Sequence, residues 1–260
     1  MKDIINVLEM RKSCRAFKQE AIDVETLNKL KELTLRAPSA GNMLLYSIIE
    51  VVDQDLKDKL SVTCDNQAMI KKAPIVWIFL ADNHKWEQYY TLSESDKKIN
   101  KKLRETAYGD MHLCMQDAII AAHQAVIAGE ALGMGSCYVG DIIEKYEEVQ
   151  QLLNLPSHAI PAAMVIMGKS LSPNAKVTTV RPPIDSSVFM QDSYKEVTKE
   201  SISYQYSNHQ KDYESRRLLP KENLTTVADY YYNRKYSSEF MDEMNRSAKV
   251  FITRWIEENV

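Results

Sequence analysis

Across 260 residues, 33 lysines and arginines are set against 36 aspartates and glutamates, a formal charge of -3, so no whole-chain field gathers nucleic acid or an anionic membrane. Any anionic ligand has to be held by a local cluster. With 45% hydrophobic and 27% charged residues, the composition is that of a globular chain with room for one substantial domain and an appendage, which excludes disordered and fibrous classes.

Met1 to Glu9 lack a basic region followed by an apolar stretch, so the expected location is the cytoplasm. Asp3 is placed to cap a short helix carrying Ile4, Val7 and Leu8 at helical spacing, which runs to a basic cluster at Arg11. A second helix is expected after Asp23, with Leu27, Leu30 and Leu33 as its stripe. It runs towards Ala37, where Pro38 stops it, and Ala37 to Asn42 follows as a loop. Runs rich in branched residues at Tyr46 to Val52, Ile75 to Ala81 and Ala162 to Gly168 predict strands of one sheet. Between them, Asn83 to Arg104 is polar with little periodicity and reads as a mobile excursion over the surface, a place where gating segments occur.

Met111 to Leu132 has nearly the length a bilayer requires. Asp117, His123, Gln124 and Glu130 recur through it and are costly in lipid, so it predicts a central core helix of a protein with no membrane span. Beyond Pro183, tyrosines at 194, 204, 206, 213, 230, 231, 232 and 236 alternate with charge. The stretch from Ser237 to Trp255 is amphipathic, and its Phe240, Met244, Val250, Phe251 and Trp255 need a covering surface, for which another subunit is one choice. The cysteines Cys14, Cys64, Cys114 and Cys137 form no Cys-x-x-Cys pair and predict reduced, mostly buried thiols. His84, His112, His123, His158 and His209 show no metal spacing, and no Gly-x-Ser-x-Gly elbow occurs.

Three segments carry chemistry. Arg11, Lys12, Ser13 and Arg15 place three cations and a hydroxyl within five residues, a density that suits a phosphate, although spacing alone leaves a solvated basic turn open. Ala37-Pro38-Ser39-Ala40-Gly41-Asn42 offers small residues for a close approach to a flat ligand. Ala131 to Asp141 has the outward look of a dinucleotide fingerprint, but Tyr138 stands where the third glycine belongs and the motif follows a helix instead of a strand.

In this order the three segments resemble the nitroreductase family of flavin enzymes. Asn66-Gln67 ahead of Ala73-Pro74, the helix Asp117 to Gly129, Gly168 at the close of the last strand, and Arg181-Pro182 agree with that resemblance. It implies an α+β nitroreductase-like fold: a central mixed, mostly antiparallel sheet flanked by helices, with residues 1–185 as the FMN-binding domain and 186–260 as an extension wrapped around the partner of a homodimer. It further implies that Arg11, Lys12, Ser13, Arg15 and Arg181 meet the phosphate and ribityl end of FMN. Asn66 would face the polar flavin edge, Tyr138, Val139 and Gly140 would line the isoalloxazine, and Pro38, Ser39, Gly41 and Asn42 would arrive from the other subunit. The implied activity moves electrons from NADPH or NADH through FMN to a small organic acceptor such as a nitroaromatic or quinone, with no side chain named as catalytic. A flavin-binding regulatory protein or a reductive dehalogenase of the same fold are the alternatives. Met43-Leu44-Leu45-Tyr46 departs from the family's Gln-Pro-aromatic pattern, which makes that wall more apolar.

Overall fold

The computed structural model describes residues 4–173 and 179–257, in two compact units: Met1–Ala175 with Glu243–Val260, and Lys176–Asp242. The expected cap Asp3 lies outside the described residues. The first unit is built on strands β1 (Tyr46–Glu50), β2 (Ile75–Asp82), β3 (Gly135–Val139) and β4 (Ala159–Gly168), in the spatial order β1-β2-β4-β3 with every neighbouring pair antiparallel. The parallel element of the expected mixed sheet is a single bridge between Ser13 and Ser136. With helices on both faces the fold is α+β, as the sequence implies.

Helices α1 (Ile4–Met10), α2 (Val24–Thr34), α3 (Gln54–Thr63), α4 (Ala68–Lys72), α5 (His84–Leu92), α6 (Ser95–Ile99), α7 (Tyr108–Ala131) and α8 (Tyr146–Leu153) belong to the first unit. The second holds α9 (Lys199–Gln205), α10 (Ser207–Ser215) and α11 (Val227–Tyr231). Helix α12 (Glu239–Glu257) begins there, and from Glu243 it belongs to the first unit. Asp23 caps α2 as expected, its carboxylate accepting from Thr26 N–H at 2.8 Å.

Strand β2 is buried at all eight positions because its alternation serves two cores. Val76, Ile78 and Leu80 pack with Leu60, Ile70 and Val149 of α3, α4 and α8, while Trp77 and Phe79 face Leu30 of α2 and the alanines of α7. Ala118, Ala121, Ala122 and Ala125 let α7 lie close on the sheet, and a Cβ added at Gly129 would meet the Met167 sulfur at 3.0 Å. The opposite stripe of α7 leaves Leu113, Ile119 and Ile120 uncovered, at 43%, 44% and 41% exposure. Among the described residues no helix is long and apolar enough to cross a membrane.

The excursion from Asn83 to Arg104 is helical, in α5 and α6, where its weak periodicity predicted an irregular segment. Its order comes from distant polar partners. Glu87 accepts from the Asn83 amide at 3.1 Å and from the Thr106 hydroxyl, and lies 2.8 Å from His158 Nδ1. The other ring nitrogen of buried His158 meets the Trp255 carbonyl at 2.8 Å. Phe251 and Trp255 find their covering surface in their own chain, against Tyr146, Leu45, Cys114 and Ile160.

Candidate functional site

Residues 13 to 17 run extended along the sheet. Cys14 N–H donates to the Ser136 carbonyl at 2.7 Å, and Phe17 bridges Ser170. This lays the basic cluster against β3. The Cys137 thiol is pushed up by burial and drawn back by the charges of Arg15 and Arg11 and by a hydrogen bond with Ser13, and Arg11 also acts on the Tyr138 hydroxyl. Arg11, Ser13 and Arg15 therefore gather at the Cys137–Tyr138 end of β3. Neither arginine is ion-paired with a carboxylate among the described residues. Lys12 and Cys14 line a cavity of about 330 Å³ together with Asn6, Glu130 and Gly135. The approach of this strand is close enough that a Cβ on Gly135 would stand 2.7 Å from the Cys14 Cβ, so the position demands glycine.

Past β3 the chain opens. Val139 is buried, Tyr138 keeps 39% of its surface exposed, and a Cβ built on Gly140 would meet no heavy atom within 4 Å. Partial burial pushes the Tyr138 hydroxyl up to about 12, so it stays protonated. Next comes a residue that sequence reading passed over. Glu144 is 5% exposed, its Oε1 has no hydrogen-bond partner, and its carboxyl is pushed up to about 7 by burial first and then by the charges of Asp141, Asp65 and Glu243. An acidic residue in the run Ile142-Ile143-Glu144 was the available signal. Asp65 and Asn66 follow α3 as a pair in the left-handed region, at φ 56 and φ 54, with Asn66 exposed. Helix α3, which this turn ends, contacts the Gly140–Ile143 segment, and the like charge of Asp65 adds to the rise of the Glu144 carboxyl.

Pro38, Ser39, Gly41 and Asn42 stand elsewhere. They form the turn that leads into β1, and β1 and β3 are opposite edges of the sheet. Three strand spacings of roughly 4.8 Å put about 14 Å between those edges, so one chain does not unite this turn with the basic cluster. The turn is pinned from α7: the Asp117 carboxylate accepts from Ala40 N–H at 2.9 Å and from Leu45 N–H at 3.1 Å. Arg181 belongs to the second unit, where its carbonyl accepts from the Asn208 amide at 2.9 Å. The four cysteines are free and buried as expected, with Cys64 and Cys114 pushed up to about 12 by burial. Burial keeps Cys64 and Cys114 as thiols. Among the described residues no group of three or more His, Cys, Asp or Glu is arranged to hold a metal ion.

Known proteins match this arrangement along its length. The FMN reductase (NADPH) of Bacillus subtilis (strain 168) is 23% identical over 265 residues, which cover 99% of this chain and 98% of the relative. The FMN reductase (NAD(P)H) of the same organism is 27% identical over 241 residues, covering 91% and 93%. The solved structure of the NfrA1 nitroreductase from B. subtilis superposes with a TM-score of 0.80 at 21% identity, over 96% of this chain and 98% of the other. Residues 8–169, which carry the whole four-stranded sheet, match the model of the nitroreductase family, and the chain belongs to that family.

Proposed function

We propose that this protein is an FMN-dependent oxidoreductase that takes electrons from NADPH or NADH and delivers them to a small organic acceptor, of which nitroaromatics and quinones are the favoured class. The observation that carries the reading is the meeting of Arg11, Ser13 and Arg15 with an opening at Tyr138–Gly140 on one end of β3. Two unpaired guanidinium groups suit a phosphate dianion, and the empty space over Gly140 admits a flat ring against the backbone. These residues fit FMN. The two FMN reductases that align with almost the whole chain support the same assignment.

Bound FMN supplies the hydride acceptance and electron storage, and this chain supplies position and surroundings. Arg11, Ser13 and Arg15 would hold the phosphate end, with Lys12 adding charge. Val139 and Gly140 give a backbone wall, Tyr138 keeps its proton, and Asn66 meets the polar edge. Pro38, Ser39, Gly41 and Asn42 complete the pocket from a second copy, since they stand on the far edge of the sheet in their own chain. The uncovered Leu113, Ile119 and Ile120 of α7 provide the apolar contact such a homodimer needs. The deciding experiment titrates FMN into purified protein and then adds NADPH or NADH without oxygen. Loss of the visible flavin absorption establishes an enzyme. A flavin that binds and is never bleached by either donor leaves a binding protein instead.

A further inference from the structure

We infer that Asp117 is a positioning residue for the flavin site: from the middle of α7 it fixes the turn whose residues Pro38 to Asn42 meet the flavin of the partner, a role that rests on the reading above. The carboxylate is 2% exposed. It takes Ala40 N–H at 2.9 Å on Oδ1 and 3.2 Å on Oδ2, and Leu45 N–H at 3.1 Å on Oδ2, so one group ties both ends of the turn. Between these ties the backbone is forced into the left-handed region at Gly41 (φ 57), Asn42 (φ 57) and Leu44 (φ 51). Glycine accepts that conformation freely and asparagine often, but leucine does not, so the path past Leu44 persists only because its surroundings impose it.

Two further bonds grip the same turn. The Ser39 hydroxyl oxygen accepts from Leu44 N–H at 3.0 Å, and Trp86 of α5 donates its indole N–H to the Met43 carbonyl at 2.9 Å. Held on both sides, the turn presents Pro38, Gly41 and Asn42 outward, all exposed. The Asp117 side chain reaches none of that surface. Its charge is felt inward, where it is the second cause, after burial, that raises the Tyr46 hydroxyl above its usual range. A carboxylate is suited to this place because it offers two acceptors and no donor to two converging N–H groups. An asparagine of the same shape offers one oxygen and turns an NH₂ towards the other N–H.

The test titrates FMN into wild type, Asp117→Asn and the double variant Asp117→Asn/Leu44→Gly, with the visible circular dichroism of bound flavin and the thermal midpoint read in parallel. Leaving one buried N–H without an acceptor is expected to raise the half-saturating FMN concentration on the order of tenfold at temperatures where the variant is folded. Glycine at 44 adopts the left-handed path without strain, so the double variant is expected to recover most of that loss and the wild-type flavin spectrum. A residue that merely filled the core would give no such recovery. If Asp117→Asn binds FMN like wild type, or if Leu44→Gly restores nothing, the positioning role is overturned while the flavin reading stands. Wild type that takes up no FMN sinks the flavin reading and this inference with it. Should Asp117→Asn fail to fold, Trp86→Phe withdraws only the bond to Met43 and keeps the ring. A several-fold weaker FMN titration supports the role of the turn, and an unchanged one overturns it.

Discussion

Replacing Glu144 by glutamine removes a charge that the fold holds at a disadvantage. The side chain is 5% exposed, one oxygen has no partner, and its carboxyl stands at about 7 against an ordinary 4.5. Below about pH 4.5 folded and unfolded chains both carry the proton, and the residue contributes nothing to pH dependence. Between 4.5 and 7 the unfolded chain releases its proton while the folded one keeps it, so stability falls as pH rises. Above 7 both are ionised and the full penalty is present. At about 1.36 kcal/mol per pKa unit, that penalty is on the order of 3 kcal/mol. Glu144→Gln should therefore be more stable than wild type at pH 8 by up to about 3 kcal/mol, with the gap closing towards pH 4.5. Urea unfolding of both proteins at half-unit intervals of pH measures it, followed by circular dichroism at fixed protein concentration. A difference between them that does not change with pH would refute the burial of an unpartnered carboxyl at this position.

The opposite sign is expected at Arg246, which pulls Glu147 and Glu243 down to about 2 through hydrogen bonds. Arg246→Ala should remove stability that is present above pH 4.5 and lost as pH falls towards 2. The effect is under about 1 kcal/mol per carboxylate because all three groups are partly exposed, and the urea midpoint at pH 7 against pH 3 reads it. Arg11→Ala should weaken FMN binding by roughly one to two orders of magnitude, the worth of one charge-assisted bond, in a fluorescence titration. On the proposed function, in which donor and acceptor take turns in one pocket, steady-state turnover with NADPH and a quinone should give parallel double-reciprocal lines. Intersecting lines, with both shown bound together, would require separate sites.

The legible parts of the sequence are those whose signal is local. Ile75 to Ala81 is a branched run long enough to mark β2 without help, and the alanines of Met111 to Leu132 mark a helix that lies close on a sheet. Strand β3 escaped because Gly135 and Ser136 have little strand preference, and pairing with β4 along Tyr138–Val165 and Val139–Met164 decides the matter. Helix α5 escaped for a related reason, since the partners that order it, Thr106 and His158, are remote in sequence. The basic cluster was readable as a cluster. Its division into Arg11, Ser13 and Arg15 beside Cys137, with Lys12 lining a separate cavity, depends on the course of residues 13 to 17 along the sheet. The turn at Pro38 was readable as a turn, but the residue that holds it lies 77 positions away.

The proposed dependence of the site on a second copy is tested most directly on α7. Cutting away the closing helix would be a poor test, because Phe251 and Trp255 of α12 fill the core of their own chain and their loss would unfold it. Leu113 and Ile120 lie seven residues apart on one face of α7, exposed at 43% and 41%, while the face behind them is buried against the sheet. Covering the two-fifths of one such side chain that is still exposed contributes roughly 0.6–1.2 kcal/mol, and a two-fold axis counts each substitution twice. Ile120→Glu replaces that gain with two like charges brought together, so the dimer dissociation constant should rise by a factor on the order of ten to a hundred. The fold of the single chain should survive, since position 120 already touches water. Sedimentation over a dilution series reads the assembly and absorbance at the flavin band reads retained FMN, and the two should fall together. A variant that becomes a folded monomer and still holds FMN stoichiometrically would show that Ser39 and Asn42 of a second chain are not needed, and the pocket would have to be rebuilt from residues on the β3 edge alone.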